Sequence, residues 1–212
     1  MSTFNKGLFI SFEGIDGCGK STQVKLLMEK LKKNSIVYKF VREPGGTIIS
    51  EEIRKTLLST KNMNMSSRSE ALLMTASRAQ LTKEEIIPAM EKGHCIIADR
   101  FKDSTLAYQG GGRKLDLDFL EKLNDFATYD IDPNITFYID VTAETAHERS
   151  TQNNLDRIES VGLEFQNSVR EKYLYLAEKF KNRIVIIDGN QSIPIIHSTI
   201  WEKTINCINE KN

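Results

Sequence analysis

Residues 8–31 read LFISFEGIDGCGKSTQVKLLMEKL, and the order of types within this stretch decides the fold. Leu8–Phe12 is a short apolar run without clean alternation, the pattern of a strand buried on both faces. Val24, Leu27, Met28 and Leu31 then recur at helical spacing. Between strand and helix, Gly14-Ile15-Asp16-Gly17-Cys18-Gly19-Lys20-Ser21 matches G-x-x-x-x-G-K-[ST] at every position. Glycines let backbone N–H groups turn toward phosphate oxygens, and the helix N-terminus adds partial positive charge. In such a loop, running here from Gly14 to Thr22, Lys20 bridges the β- and γ-phosphates and the Ser21 hydroxyl sits on Mg²⁺. The motif names a nucleotide, not a reaction.

Working outward, Ile36–Val41, Cys95–Asp99, Ile135–Asp140 and Ile184–Ile187 are further short runs of β-branched and aromatic residues, expected as strands. A second stripe, Phe165, Val169, Tyr173, Leu176 and Phe180, predicts a helix between the last two. Ser67 with Glu70 reads as a capping box for a helix reaching about Leu81, and Pro88 and Gly93 close the helical stretch that follows. Alternating βα units imply an α/β fold: a doubly wound, five-stranded parallel sheet flanked by helices, of P-loop NTPase type. No repeat or linker divides the 212 residues, so one domain is expected. Gly110–Gly112 and Ser150–Asn154 are the expected mobile loops.

Composition narrows the function. The 29 Lys and Arg balance the 29 Asp and Glu, which argues against nucleic acid or an anionic membrane as the partner. Cys18, Cys95 and Cys207 are odd in number and form no CxxC, so neither a disulfide framework nor a zinc knuckle is expected. MSTFNKGLFISFEG lacks the apolar stretch of a signal peptide, and no run approaches the length of a membrane span, so the expectation is a cytoplasmic protein. His94, His147 and His197 are isolated, Cys18 reads as small buried filler, and Lys179–Arg183 reads as a solvated helix end.

Strand ends supply the rest. Ligands of open α/β sheets sit at the carboxyl ends of strands, and Asp99-Arg100 and Arg42-Glu43-Pro44-Gly45-Gly46 close two of them. Arg54 lies one helical stretch onward, and Arg78 shares a helix face with Met74. Arginines so placed beside a phosphate cradle suggest a second phosphorylated ligand, because phosphoryl transfer between anions is mainly charge neutralisation and positioning. A guanine-reading [NT]-K-x-D is missing, since Thr82–Glu85 and Thr60–Met63 both lack the final Asp.

At this point the chain resembles the thymidylate (dTMP) kinases, in particular the bacterial type. The likeness rests on FEGIDGCGKST (residues 12–22), REPGGT (42–47), EEIR (51–54), SRAQ (77–80), ADRFKDSTLAYQGGGR (98–113), FYIDV (137–141), LDRIE (155–159) and IDGNQS (187–192). The resemblance implies a homodimeric enzyme making dTDP from dTMP and MgATP. It implies that Asp16 holds the sugar 3′-hydroxyl and that Arg54 and Arg100 grip the dTMP phosphate. Arg78 and Thr105 would read the thymine edge, Tyr108 would crowd the 2′ position, and Glu43, Pro44, Met74 and Gln109 would line the same pocket. Asp99 would support the metal, residues 149–160 would form a lid, and the IDGNQS loop would border adenine.

Two departures stand out. Relatives carry arginines in the lid or one inside the P-loop, whereas this lid reads Ser150-Thr151-Gln152-Asn153-Asn154 and Gly17 holds the P-loop position. Arg149 and Arg157 flank the lid and are the available replacements, with Arg149 the one expected at the ATP phosphates. Met74 stands where relatives offer Phe against the base. From the residues alone, a P-loop kinase for another small acceptor and a non-catalytic nucleotide-binding regulator remain open.

Overall fold

The computed structural model describes residues 7–149 and 156–211; Ser150–Leu155, the centre of the expected lid, lie outside them. Five parallel strands, β1 (Phe9–Glu13), β2 (Tyr38–Arg42), β3 (Cys95–Asp99), β4 (Ile135–Asp140) and β5 (Ile184–Asp188), form one sheet in the order β2-β3-β1-β4-β5. The register pairs Phe12 with Asp99 and with Phe137, so β3 ends one residue short of β1 and β4 runs two residues past the partner of Glu13. β1 and the first four residues of β3 are buried throughout, which is why their sequences do not alternate. The edge strands depart from that expectation: Phe40 and Ile186 are exposed because β2 and β5 each have only one neighbour.

The strands' period of two divides the core. Ile10, Phe12 and Ile97 join one cluster, while Phe9, Ile96 and Ala98 face the other. The helices are α1 (Lys20–Lys33), α2 (Ile48–Leu58), α3 (Ser67–Leu81), α4 (Ile87–Glu91), α5 (Lys102–Thr105), α6 (Leu117–Thr128), α7 (Ala143–Arg149), α8 (Leu163–Lys179) and α9 (Ile193–Lys211). The predicted stripes hold: Val24, Leu27 and Leu31 of α1 and Phe165, Val169, Tyr173 and Leu176 of α8 are buried in one core. Chain leaves β1 toward β2 but leaves the adjacent β3 toward β4. These opposite departures open a crevice beyond the strand carboxyl ends.

Four local expectations change. The cap of α3 is Ser66, whose hydroxyl oxygen accepts from Ser69 N–H at 3.1 Å, and Glu70 is buried instead of capping. Pro88 does not stop a helix: it sits in the first turn of α4, and the wide π-helical turn Thr82–Ile86 absorbs the hydrogen bond that proline cannot give. Arg183 is no solvated helix end, since it forks onto the buried Asp103 carboxylate at 2.6 and 2.7 Å.

The glycine triplet is the fourth change. Gly110–Gly112 ends a π-helical turn, Leu106–Gly112, pressed against α8. A Cβ on Gly111 would fall 2.8 Å from the Ser168 carbonyl oxygen and 2.6 Å from Lys172 Cβ, and one on Gly112 would meet the Phe165 ring. The glycines are there for close approach. Gly111→Ala is expected to destabilise the fold by about 1–3 kcal/mol, read as a lower urea midpoint at unchanged slope. An unchanged midpoint would remove the packing explanation.

Candidate active site

A cavity of about 710 Å³ occupies the crevice, a size suited to small ligands. Of the site residues named from the sequence, all line it except Gly14, Ile15 and the flanking candidate Arg157. Gly14 and Ile15 lie beneath the loop, where their carbonyl oxygens accept from Lys20 Nζ at 2.9 and 3.0 Å. Ser21, Thr22 and Cys18 close this end, with Cys18 buried as expected. Gly17 has φ +84°, and a Cβ there would sit 2.3 Å from the Ala146 carbonyl oxygen. No side chain, least of all arginine, fits in its place.

The opposite wall is built from the ends of β2 and β3 and from α2, α3 and the π-helical turn. Arg100 follows β3 with φ 71° and donates to the Asp16 carboxylate at 2.7 Å and to Tyr108 Oη at 3.1 Å. Burial opposes ionisation of Asp16, but Arg100, Lys20 and the hydrogen bonds from Arg100 and Tyr108 outweigh it and hold the carboxyl at about 2. Burial likewise pushes the Tyr108 phenol well above its usual range. Arg54 donates to the Pro44 carbonyl at 2.8 Å and Arg149 to that of Gly189 at 2.9 Å, and neither meets a carboxylate in an ion pair among the described residues. Two guanidiniums facing one cavity without counter-ions suit an anionic ligand at each end.

Arg78 is the most enclosed of the set. Its five N–H groups go to Glu43 twice, Thr105, Asn124 and the Phe101 carbonyl, all within 3.0 Å. A ligand bond from Arg78 would have to displace one of these. Burial pushes Glu43 up to about 7, past the pull of Arg78, and its Oε1 has no hydrogen-bond partner among the described residues. Arg157, the other flanking candidate, points elsewhere: it is 2% exposed, pairs with Glu70 at 2.7 Å and donates to the Leu57 carbonyl.

Sequence reasoning missed several residues. Gln23 and Ile196 also line the cavity, and Asp156, Ile158 and Glu159 of the expected lid do so as well. Glu70 gathers Gln109, Arg113 and Arg157 on one buried carboxylate. Its place four residues before Met74 was the available signal, because that spacing puts it on the helix face of Met74 and Arg78.

A family model described as Thymidylate kinase matches residues 12–200. The chain belongs to the thymidylate kinase family. It is 49% identical to the thymidylate kinase of Thermosipho africanus (strain TCF52B) over 91% of this chain and 95% of that one. With the thymidylate kinase of Fervidobacterium nodosum (strain ATCC 35602 / DSM 5306 / Rt17-B1) it shares 51% identity over 91% and 96%. The thymidylate kinase of Caldanaerobacter subterraneus subsp. tengcongensis (strain DSM 15242 / JCM 11007 / NBRC 100824 / MB4) is 47% identical over 92% and 93%. Family membership thus spans the P-loop, both cleft walls and the β5 loop.

Proposed function

We propose that this enzyme transfers the γ-phosphoryl group of ATP to dTMP, giving ADP and dTDP for dTTP synthesis, by direct in-line displacement without a covalent enzyme intermediate. The observation that carries the reading is one cavity joining the P-loop to Arg54, which meets no carboxylate in an ion pair among the described residues, and to Arg100. In this assignment the loop from Gly14 to Thr22 seats the ATP phosphates, with backbone N–H groups and Lys20 as donors. Arg54 and Arg100 hold the dTMP phosphate in line, and Asp16 takes the sugar 3′-hydroxyl. Thr105, Gln109, Met74, Glu43, Pro44 and Arg78 enclose the base, while Tyr108 occupies the space a 2′-hydroxyl would need.

Mg²⁺ fits the donor set. Ser21 and Asp99 offer hard oxygens on the same cavity, and no group of three His, Cys, Asp or Glu side chains forms a metal cage among the described residues. That suits an ion whose other positions water and phosphate oxygens fill, contributing neutralisation of phosphate charge. The expected lid, residues 149–160 of one kinase domain, would keep water from accepting the phosphoryl group.

A coupled ADP assay tests the reading. dTMP should be the best acceptor of a panel with dUMP, dCMP and thymidine, and thymidine should fail for want of the phosphate. One methyl separates dUMP from dTMP, worth about 1–3 kcal/mol, so a roughly 10- to 200-fold lower kcat/KM is expected. Equal values for the two would sink the base assignment, and preference for thymidine would sink the acceptor-phosphate assignment.

The enzyme is further proposed to be a cytoplasmic homodimer. No helix among the described residues is long and apolar enough to cross a membrane. Exposed Ile48 of α2, Leu72 of α3 and Phe126 of α6 lie on helices that pack side by side, and such faces mark association surfaces. Light scattering should give twice 24.1 kDa, and Phe126→Glu should shift the species toward monomer. A parent protein that runs as monomer would refute this.

A further inference from the structure

Glu13, the last residue of β1, is fully buried and has no part in the chemistry above. Its surroundings all lead to Arg100. Oε1 accepts the N–H of Phe101, the residue after Arg100, at 2.7 Å, with the Ser11 hydroxyl at 3.3 Å. Oε2 accepts the Ser104 hydroxyl at 2.6 Å and the Tyr173 hydroxyl at 2.7 Å. The two hydroxyls lie 3.0 Å apart, and where each gives its proton to the carboxylate at the shorter 2.6 and 2.7 Å contacts, the oxygen lone pairs of Ser104 and Tyr173 are left for Arg100. Its Nη1 donates to them at 3.3 and 3.5 Å. Nη2 meets Asp16 and Tyr108 on the other side. Arg100 also stands at φ 71°, a region that side chains other than glycine seldom enter and that persists only when neighbouring contacts over-determine it.

We propose that Glu13 is a positioning residue of the acceptor-phosphate site, fixing the backbone behind Arg100 and turning two hydroxyls so that they receive its guanidinium. The inference rests on the reading that Arg100 holds the dTMP phosphate. It explains why a carboxylate, and not merely a polar filler, ends β1. An amide of the same shape would still accept from Phe101. Its –NH₂, however, would stand where two hydroxyls now donate. Both would have to turn lone pairs to the amide; one proton can pass to the other hydroxyl across their 3.0 Å contact, and the remaining one faces Arg100, placing donor against donor.

The test compares dTMP with thymidine by titration calorimetry, because a group acting through the phosphate clamp affects only the first. Glu13→Gln is expected to weaken dTMP roughly 10- to 100-fold while thymidine affinity stays within about threefold. Tyr173→Phe, which spares the carboxylate, should show a smaller loss of about threefold or more, confined to dTMP. In an Arg100→Met background, adding Glu13→Gln should change dTMP affinity by less than about twofold. Equal losses for both ligands in Glu13→Gln, or a full further loss without Arg100, overturn the inference. Where Glu13→Gln does not fold, unchanged dTMP affinity in Tyr173→Phe overturns it as well. An Arg100→Met enzyme that keeps the dTMP preference sinks the phosphate reading of Arg100 and this inference together. A selective Arg100→Met beside an unselective Glu13→Gln sinks the inference alone.

Discussion

Lys20→Ala should lower kcat by about 10³ or more, since transfer between phosphates depends on charge stabilisation set in place beforehand. Lys20 is 6% exposed and its ammonium is held by the Gly14 and Ile15 carbonyls, with the Asp16 carboxylate 3.9 Å away. It is thus kept inside the loop proposed to receive ATP, and a nucleotide there would have only to exchange neutral carbonyl partners for phosphate oxygens. Removing it also leaves two carbonyls without their donor, a cost of about 1–3 kcal/mol at most, so stability must be measured beside activity. dTMP affinity should change little, because the acceptor wall is built from other elements. A Lys20→Ala enzyme that keeps kcat within tenfold of the parent while remaining folded would show that the loop does not seat the donor phosphates.

How far the sequence could be read depended on whether the signal was local. The P-loop, the strands and the stripes of α1 and α8 are set by neighbours in the chain, and Cys95–Asp99 and Ile135–Asp140 match their strands end to end. Arg100 could be placed in the cleft because strand ends in an open sheet converge there, whereas Arg54, inside α2, was placed by the family resemblance. Apart from the α3 cap falling on Ser66 and the place of Pro88, which are local, the misreadings share one cause: the partner lies far along the chain. Gly110–Gly112 resembles a mobile loop until α8 is seen against it. Glu70 resembles a cap until Arg113 and Arg157 arrive from 43 and 87 residues away. Arg183 resembles a surface charge until Asp103 is found beneath it. Glu13 sits in an apolar strand, where only the tertiary fold shows its four donors.

The second large effect concerns the cation that meets the moving phosphoryl group. A guanidinium in that position is worth about 10³–10⁵ in rate. Three sources can be set aside: Gly17 has no room for a side chain, residues 150–155 contain no Lys or Arg, and Arg157 is buried against Glu70. Arg149 remains at the end of α7, lining the P-loop end of the cavity and, among the described residues, donating to the Gly189 carbonyl and, at 3.5 Å, to Asn190 Oδ1. Neutral partners of that kind cost little to exchange for a phosphate, whereas breaking the Arg157–Glu70 pair would strand a buried charge. Arg149→Met should therefore lower kcat by about 10²–10⁴ with dTMP affinity unchanged, because Arg54 and Arg100 stay in place. Arg149→Lys should recover part of that loss, charge without the planar fork. The assignment fails if Arg149→Met turns over at the parent rate, or if it loses dTMP binding in step with kcat, since a group serving the transferred phosphoryl acts on the transition state and not on the acceptor's ground-state affinity.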